Sequence, residues 1–181
     1  GFHLGNLLIH AINAFLVFLL LRKWSASETS AWIGAFLFTV HPLHTEAVVW
    51  VSGRKDIQFT LFYLGALLAY SRSQRGQPWM YVISLLFAMC AMLSKATAIT
   101  LPVVIVLMDG FLDRVGADSH PLSWRSRAMR LIPFCLLSLV FAAVAILGKT
   151  RIVGASSLLD TSLVALRSTV HTLWQMVVPM G

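Results

Sequence analysis

Long apolar runs alternate with short polar segments along the whole chain. The runs lie at residues 4–21, 29–43, 57–70, 79–94, 97–112, 131–147 and 161–178. A membrane-spanning helix needs ~20 predominantly apolar residues, which is close to the length of most of these runs. The pattern therefore predicts an all-α, polytopic transmembrane helical bundle with about six or seven spans.

The second run is short and stops at His41-Pro42. Proline removes a backbone donor and restricts the residue before it, so a helix is expected to end there. Residues 43–51 then favour a half-helix lying at the membrane surface. Gly53 breaks the chain before the charged triplet of residues 54–56.

The fourth and fifth runs are joined by almost no loop, and they fit either a tight hairpin or one kinked helix with Pro102 inside. The hairpin puts more basic residues on one side of the membrane than on the other, as the positive-inside rule requires. The richer side holds Arg22, Lys23, Arg72, Arg75, Arg114, Arg125, Arg127 and Arg130, and the poorer side holds Arg54, Lys55, Lys95, Lys149 and Arg151. We therefore expect an outside N-terminus, with residues 22–28, 71–78 and the loop 113–130 in the cytoplasm.

Composition supports the membrane interpretation. The chain is 58% hydrophobic and 12% charged, with a mean hydropathy of +0.80, whereas soluble domains carry about 25% charged residues. A soluble enzyme, a disordered chain and a DNA-binding domain are excluded. The net charge of +7 does not indicate nucleic-acid binding, because the basic residues lie in short clusters between apolar runs. Cys90 and Cys135 lie inside runs and are expected to pack rather than to form a disulfide.

Polar residues recur at helical spacing in the first run. His3, Asn6, His10 and Asn13 share one helix face, and such a stripe does not face lipid. It favours either hydrogen bonds between helices or the wall of a polar cavity near the outer surface. The last run repeats this spacing with Arg167, His171 and Gln175. Either a packing partner or a ligand would explain these three polar residues.

The densest polar constellation is expected on the extracytoplasmic side. It comprises His41, His44, Glu46, Arg54, Lys55, Asp56 and Lys95. Arg and Lys recognise phosphate, and His and carboxylates carry out acid–base chemistry. A loop tied by ion pairs such as Glu46–Arg54 or Asp56–Lys55 explains the same residues. No metal ligands are assigned, because Pro42 interrupts His41-x-x-His44 and no Cys partner accompanies it.

Three ordered motifs carry a family resemblance. They read GFHLGNLLIHAINAFLVFLLLRK, HPLHTEAVVWVSGRKD and LLFAMCAMLSKATAITLPVVIVLMDG. Together they resemble the membrane region of the transmembrane and tetratricopeptide-repeat O-mannosyltransferase family and its bacterial relatives, within the GT-C superfamily. The resemblance covers about residues 1–113 and is weaker through 131–181.

The resemblance implies transfer of a sugar, mannose in the family, from a polyprenyl-phosphate donor to a protein or glycan acceptor outside the cytoplasm. The implied membrane is the bacterial inner membrane, or the endoplasmic reticulum in a eukaryote. In the family, the catalytic carboxylate lies in the first extracytoplasmic loop and acts as a base or as a metal-associated group. A divalent metal ion is therefore a possible cofactor. We expect that loop, with its preceding span, upstream of Gly1 and the tetratricopeptide repeats downstream. Residues 1–181 would then be part of one transmembrane glycosyltransferase-like domain.

Within this chain the motifs imply distinct roles for the polar residues. Arg54 and Lys95 are expected to face the donor phosphate, and His44 and Glu46 to organise donor or acceptor with a minor part in proton transfer. The expected cavity lining is His3, Asn6, His10, His41, Lys55 and Asp56. A transporter or lipid flippase, or a non-catalytic assembly subunit, are the alternatives. A transporter favours ionisable groups at mid-membrane and paired, broken helices, and neither pattern is visible here.

Overall fold

Helices account for nearly all of the structure that can be described. It is a computed structural model that describes residues 2–24, 27–50, 53–74, 76–115, 123–152 and 166–167, and these ranges contain no strand. The elements are α1 (Phe2–Trp24), α2 (Glu28–Val40), α3 (Pro42–Val49), α4 (Arg54–Ser73), α5 (Trp79–Ser94), a 3₁₀ segment (Ala96–Thr100), α6 (Leu101–Val115) and α7 (Trp124–Ile152). The predicted all-α class is thus confirmed for the described residues.

The first two apolar runs and the surface half-helix form as separate helices. α2 ends at Val40, and the next residue, His41, has an extended backbone (φ −65°, ψ 128°) and precedes Pro42. Proline is tolerated in the first turn of a helix because no intrahelical donor is needed there, and α3 begins at Pro42. The predicted break at His41-Pro42 and the short helix after it are both confirmed.

α4 packs closely on α5 through small side chains. Ala66 and Ala88 are fully buried, and the buried Ser84 Oγ donates to the Ala66 carbonyl at 2.7 Å. Gly65 faces the Phe87 ring, which a β-carbon at position 65 would approach to 3.3 Å. Small residues let helices approach closely, as is common where helices associate inside a membrane.

The fourth and fifth runs form a hairpin rather than one helix. Lys95 is extended (φ −155°, ψ 131°) and separates α5 from the 3₁₀ segment and α6. Tyr63 OH lies 3.2 Å from Thr100 Oγ1, and Tyr70 OH donates to Asp109 Oδ2 at 3.0 Å. These two contacts show that the 3₁₀ segment and α6 run parallel to α4. Because Phe62 packs on Phe87 and Ala66 on Ser84, α4 is antiparallel to α5, and α6 is therefore antiparallel to α5 as well. The predicted hairpin, with Lys95 at its turn, is confirmed.

The polar segment 113–130 differs from the expected loop. α6 continues to Val115 and α7 already begins at Trp124, so residues 124–130 are helical. The Ser126 N–H donates to Ser123 Oγ at 3.3 Å, which satisfies one donor of the first turn. Arginine is also a good helix former, so the basic residues that suggested a loop extend the helix instead. The expected loop was wrong over these residues.

The outer faces of the helices are apolar. Leu7 of α1, Phe36 of α2, Leu93 of α5, Leu107 of α6 and Leu139 of α7 are each more than half exposed. α1 from His3 and α7 to Gly148 are long and apolar enough to cross a membrane, and two shorter apolar helices are Trp79–Ser94 and Ala96–Phe111. An apolar surface of this extent is typical of contact with lipid.

The chain divides into two compact units, residues 1–142 and 143–181. The core of the first unit includes Tyr70, Leu101, Ile105 and Phe134, all fully buried. The second unit is described only at the end of α7 and at Leu166 and Arg167. In the seventh apolar run only Leu166 and Arg167 are described, and Arg167 is exposed. His171 and Gln175 lie outside the described residues.

Candidate functional site

The polar stripe of α1 joins this helix to its neighbours. Asn6, His10 and Asn13 are each at most 5% exposed, whereas His3 is exposed. The bonds run from Asn6 Nδ2 to the Val48 carbonyl (3.2 Å), from His10 Nε2 to the Thr39 carbonyl (3.1 Å) and from Asn13 Nδ2 to the Ile57 carbonyl (2.9 Å). The interpretation of the stripe as hydrogen bonds between helices is confirmed for these three residues. Their lining of a donor cavity stays a prediction.

Three histidines converge beside this stripe. The His44 ring lies 5.5 Å from the His10 ring and 5.9 Å from the His41 ring, measured between centroids. The Phe38 ring lies 4.4 Å from His44 and 5.5 Å from His10. Among the described residues, no three His, Cys, Asp or Glu side chains are arranged to hold a metal ion. His10 and His44 thus pack on the Phe38 ring, and His41 packs on His44.

Burial sets the protonation of His44. It lowers the pKa of this imidazole, and the nearby His10 and His41 rings lower it further. A carbonyl contact from Phe38 acts in the opposite direction but is smaller than the effect of burial. His44 Nδ1 is buried and has no hydrogen-bond partner among the described residues. A neutral imidazole is therefore favoured at this position, which suits positioning or proton acceptance rather than binding of an anion.

An ion pair joins the second and third of the three sequence motifs. Lys95 Nζ lies 2.6 Å from Asp56 Oδ1, and the two side chains are 40% and 37% exposed. Asp56 lies in the first turn of α4, where the helix dipole favours a negative charge. The extended backbone at Lys95 ends α5 and directs the chain into α6 beside this turn. Asp56 thus pairs with Lys95, and the Asp56–Lys55 pairing considered from the sequence was wrong.

The remaining predicted residues lie on the same segments. Arg54 precedes Asp56 by two positions in α4 and is partly buried, and Lys55 is exposed. The Glu46 side chain lies outside the described residues, although its backbone belongs to α3. Arg54 and Lys95 therefore lie at one end of the bundle. Their approach to one another across a cavity stays a prediction.

A second polar group lies at the opposite end of α4, and sequence reasoning missed it. Asp109 is 7% exposed and accepts hydrogen bonds from Tyr70 OH (3.0 Å) and Gln74 Nε2 (2.8 Å). Lys23 Nζ donates to Ser71 Oγ at 2.6 Å in the same region. An acid inside the apolar run of α6 was the signal that could have indicated this group.

Arg127 and Asp113 form a bidentate ion pair beside that region, with Nη2 to Oδ1 at 2.6 Å. The Arg127 hydrogen bond lowers the pKa of the Asp113 carboxyl. This pair connects α6 to the first turns of α7. Both ends of α4 therefore carry polar groups, with an apolar core between them.

The apolar outer surface and the long apolar helices define a helical membrane protein. One end of its bundle carries a group of charged and imidazole side chains. Comparison with known proteins supplies the family. Over 120 residues, 66% of this chain, it is 37% identical to the protein O-mannosyl-transferase Tmtc1 of Drosophila melanogaster. It is 39% identical over 116 residues to Drosophila melanogaster Tmtc2, and 30% identical over 165 residues, 80% of the chain, to mouse TMTC3.

The chain spans 14%, 12% and 18% of the lengths of these three relatives. No model of a protein family matches the chain, and no solved structure matches it. The resemblance stated from the motifs is nevertheless confirmed: the chain is related to part of the TMTC family of protein O-mannosyl-transferases.

Proposed function

We propose that this chain is part of a membrane glycosyltransferase that moves a sugar from a polyprenyl-phosphate donor to a protein acceptor. The observation that supports the proposal is the Lys95–Asp56 ion pair, which joins two of the family motifs at one end of the bundle. The relatives are named as protein O-mannosyl-transferases, so mannose and a protein acceptor are the favoured substrates.

The donor phosphate would be held by cations at the start of α4 and at the hairpin turn. Lys95 is half-exposed, so its ammonium can leave Asp56 and pair with an incoming phosphate without large rearrangement. Arg54, on the same turn as Asp56, can add two parallel N–H donors. Neutralising the phosphate both holds the donor and stabilises the lipid phosphate that leaves.

Neighbouring residues would organise the reactants. We expect His44, favoured as a neutral imidazole, to order donor or acceptor groups. Glu46, whose backbone belongs to the same short helix, is a candidate for the same role. The catalytic carboxylate is expected in an earlier loop of the full-length protein. Asp56 serves here as a positioning residue that holds the Lys95 ammonium at the site while no donor is bound.

The proposed protein is multi-pass, with a GT-C-type arrangement of six or seven spans in this chain. The site would face away from the cytoplasm, in the bacterial inner membrane or, in a eukaryote, the endoplasmic reticulum. Support comes from the positions of the helices, which follow the apolar runs over the described residues, and from the apolar helix surfaces.

The experiment measures binding of polyprenyl-phosphate mannose, and mannose transfer, by the full-length protein. Lys95→Ala and Arg54→Ala should each weaken donor binding by ~1–3 kcal/mol, or ~5- to 150-fold, the scale of a charge-assisted hydrogen bond. Arg54→Lys should recover part of the loss, because it keeps the charge but not the paired donors. Arg72→Ala, an exposed arginine at the other end of α4, is the matched control. If both alanine variants elute as folded protein yet bind donor like the control, the proposed phosphate site is wrong.

A further inference from the structure

A cavity of about 580 Å³ opens between the start of α5 and the first turns of α7. Its lining consists of Pro78, Tyr81, Ser126, Met129, Arg130 and Pro133. Its volume is within the range of ~300–1,000 Å³ that small-molecule sites occupy. The cavity thus combines one guanidinium and two hydroxyls with an apolar wall.

Arg130 supplies the positive charge of this wall. No carboxylate lies within ion-pair distance of it in the described part of the chain, where Arg22, Lys95 and Arg127 each have one. Its guanidinium lies 6.0 Å from the centroid of the Tyr81 ring, and Nη1 is 3.5 Å from Ser73 Oγ. Tyr81 OH donates to the Arg130 carbonyl at 2.7 Å, which fixes α5 against this turn of α7. The cavity therefore carries a positive charge that no carboxylate of the described residues neutralises.

Tryptophans at the starts of α5 and α7 indicate that the cavity lies at a membrane–water boundary. Trp79 begins α5 and Trp124 begins α7, and they are 57% and 80% exposed. Tryptophan is enriched at the headgroup level of bilayers. Met129, 56% exposed, adds an apolar side chain beside the charge. A ligand that suits this site has an anionic group and an attached apolar chain.

We propose that this cavity binds the headgroup of an anionic glycerophospholipid, with the phosphate on Arg130 and Ser126 and the acyl chains along the apolar face of α7. Charge complementarity favours the phosphate, and basic pockets between helices at the headgroup level are suited to anionic lipids. Arginine supplies two N–H donors in the geometry that a phosphate accepts. The site lies at the C-terminal end of α4, whereas Asp56 lies in its first turn, so the proposal is independent of the transferase chemistry.

The test is native mass spectrometry of the full-length protein in neutral detergent, with phosphatidylglycerol and phosphatidylcholine of identical acyl chains as probes. The parent should retain phosphatidylglycerol at about fivefold lower lipid concentration than phosphatidylcholine. Arg130→Gln should remove this preference, and Arg130→Lys should keep part of it. Arg125→Gln changes an exposed arginine five residues earlier that does not line the cavity, and this variant should behave like the parent. If Arg130→Gln does not fold, Met129→Trp tests the site by filling the cavity, and it should lose the lipid.

Other results would overturn the proposal. Equal losses in Arg130→Gln and Arg125→Gln would show attraction by general surface charge. Retention of phosphatidylcholine as strong as that of phosphatidylglycerol would show that the cavity does not select an anion. Displacement of the lipid by millimolar inorganic phosphate would show a site for free phosphate instead of a lipid.

Discussion

Gly53 lies where α3 is joined to α4, and a single methyl group there should disturb the proposed site. A β-carbon on Gly53 would lie 2.5 Å from the Ala47 carbonyl oxygen, 2.6 Å from its Cα and 2.9 Å from its carbonyl carbon. Gly53 has φ −72° and ψ −10°, values that alanine adopts freely. The effect of Gly53→Ala is therefore steric, because no backbone strain arises from the torsion angles themselves.

The size of the effect follows from these distances. Ordinary carbon contacts lie at ~3.5–4.0 Å, so α3 and α4 must separate by about 1 Å at this point. Overpacking of that kind typically costs ~1–3 kcal/mol. Alanine also restricts the conformations of the unfolded chain, which stabilises the folded protein by ~0.4–1 kcal/mol. Gly110→Ala in α6 gains the same restriction, and its β-carbon would meet nothing within 4 Å. The difference between the two variants isolates the steric cost, ~1–3 kcal/mol.

The assay is unfolding of the full-length protein in mixed detergent micelles, with Gly110→Ala as the matched control. Gly53→Ala should unfold at lower denaturing detergent than the control, and Gly110→Ala should unfold at or above the midpoint of the parent. Gly53→Ala should also weaken donor binding, because it displaces His44 relative to Asp56. Equal midpoints for the two variants would refute the described approach of α3 to α4.

Three further predictions concern orientation, pH and packing. Lys55→Cys should react with an impermeant thiol reagent from outside and Gln77→Cys should not, in a background without native cysteines; the reverse labelling would invert the proposed topology. Because burial lowers the folded-state pKa of His44, the unfolded chain binds more protons, and stability should fall as pH drops below about 6.5. His44→Gln should flatten that decline, which thermal unfolding between pH 5 and 8, about the range of imidazole titration, would measure. Ser84→Ala should lower the free energy of unfolding by only ~0.6 kcal/mol, because the Ala66 carbonyl keeps its helical donor. Ser84→Leu should separate α4 from α5 and lower the free energy of unfolding by ~1–3 kcal/mol in the same assay.

The local features of this fold could be predicted from the sequence. Apolar runs located the described helices, and Pro42 marked the break between α2 and α3. The hairpin at Lys95 followed from the balance of basic residues, which depends on topology and not on packing. The helical spacing of Asn6, His10 and Asn13 identified a face that the structure buries against three other elements.

The pairing of side chains could not be predicted in this way. Asp56 is adjacent to Lys55 in sequence, but it pairs with Lys95, which is 39 positions away. The bonds from Tyr70 and Gln74 to Asp109 likewise depend on how α4 lies against α6. The early start of α7 was missed because charge suggested a loop, whereas the helix propensity of arginine and the Ser123 hydroxyl favoured another turn.

The central claim, that the donor phosphate binds beside Lys95 and Arg54, is tested most directly by photo-crosslinking. A polyprenyl-phosphate probe that carries a photoreactive group next to the phosphate would be irradiated with the full-length protein, and the labelled peptides would be identified by mass spectrometry. We expect label within residues 41–56 and 95–100, and its loss in Lys95→Ala. Label confined to residues 71–81 and 124–133, at the opposite end of the bundle, would contradict the claim.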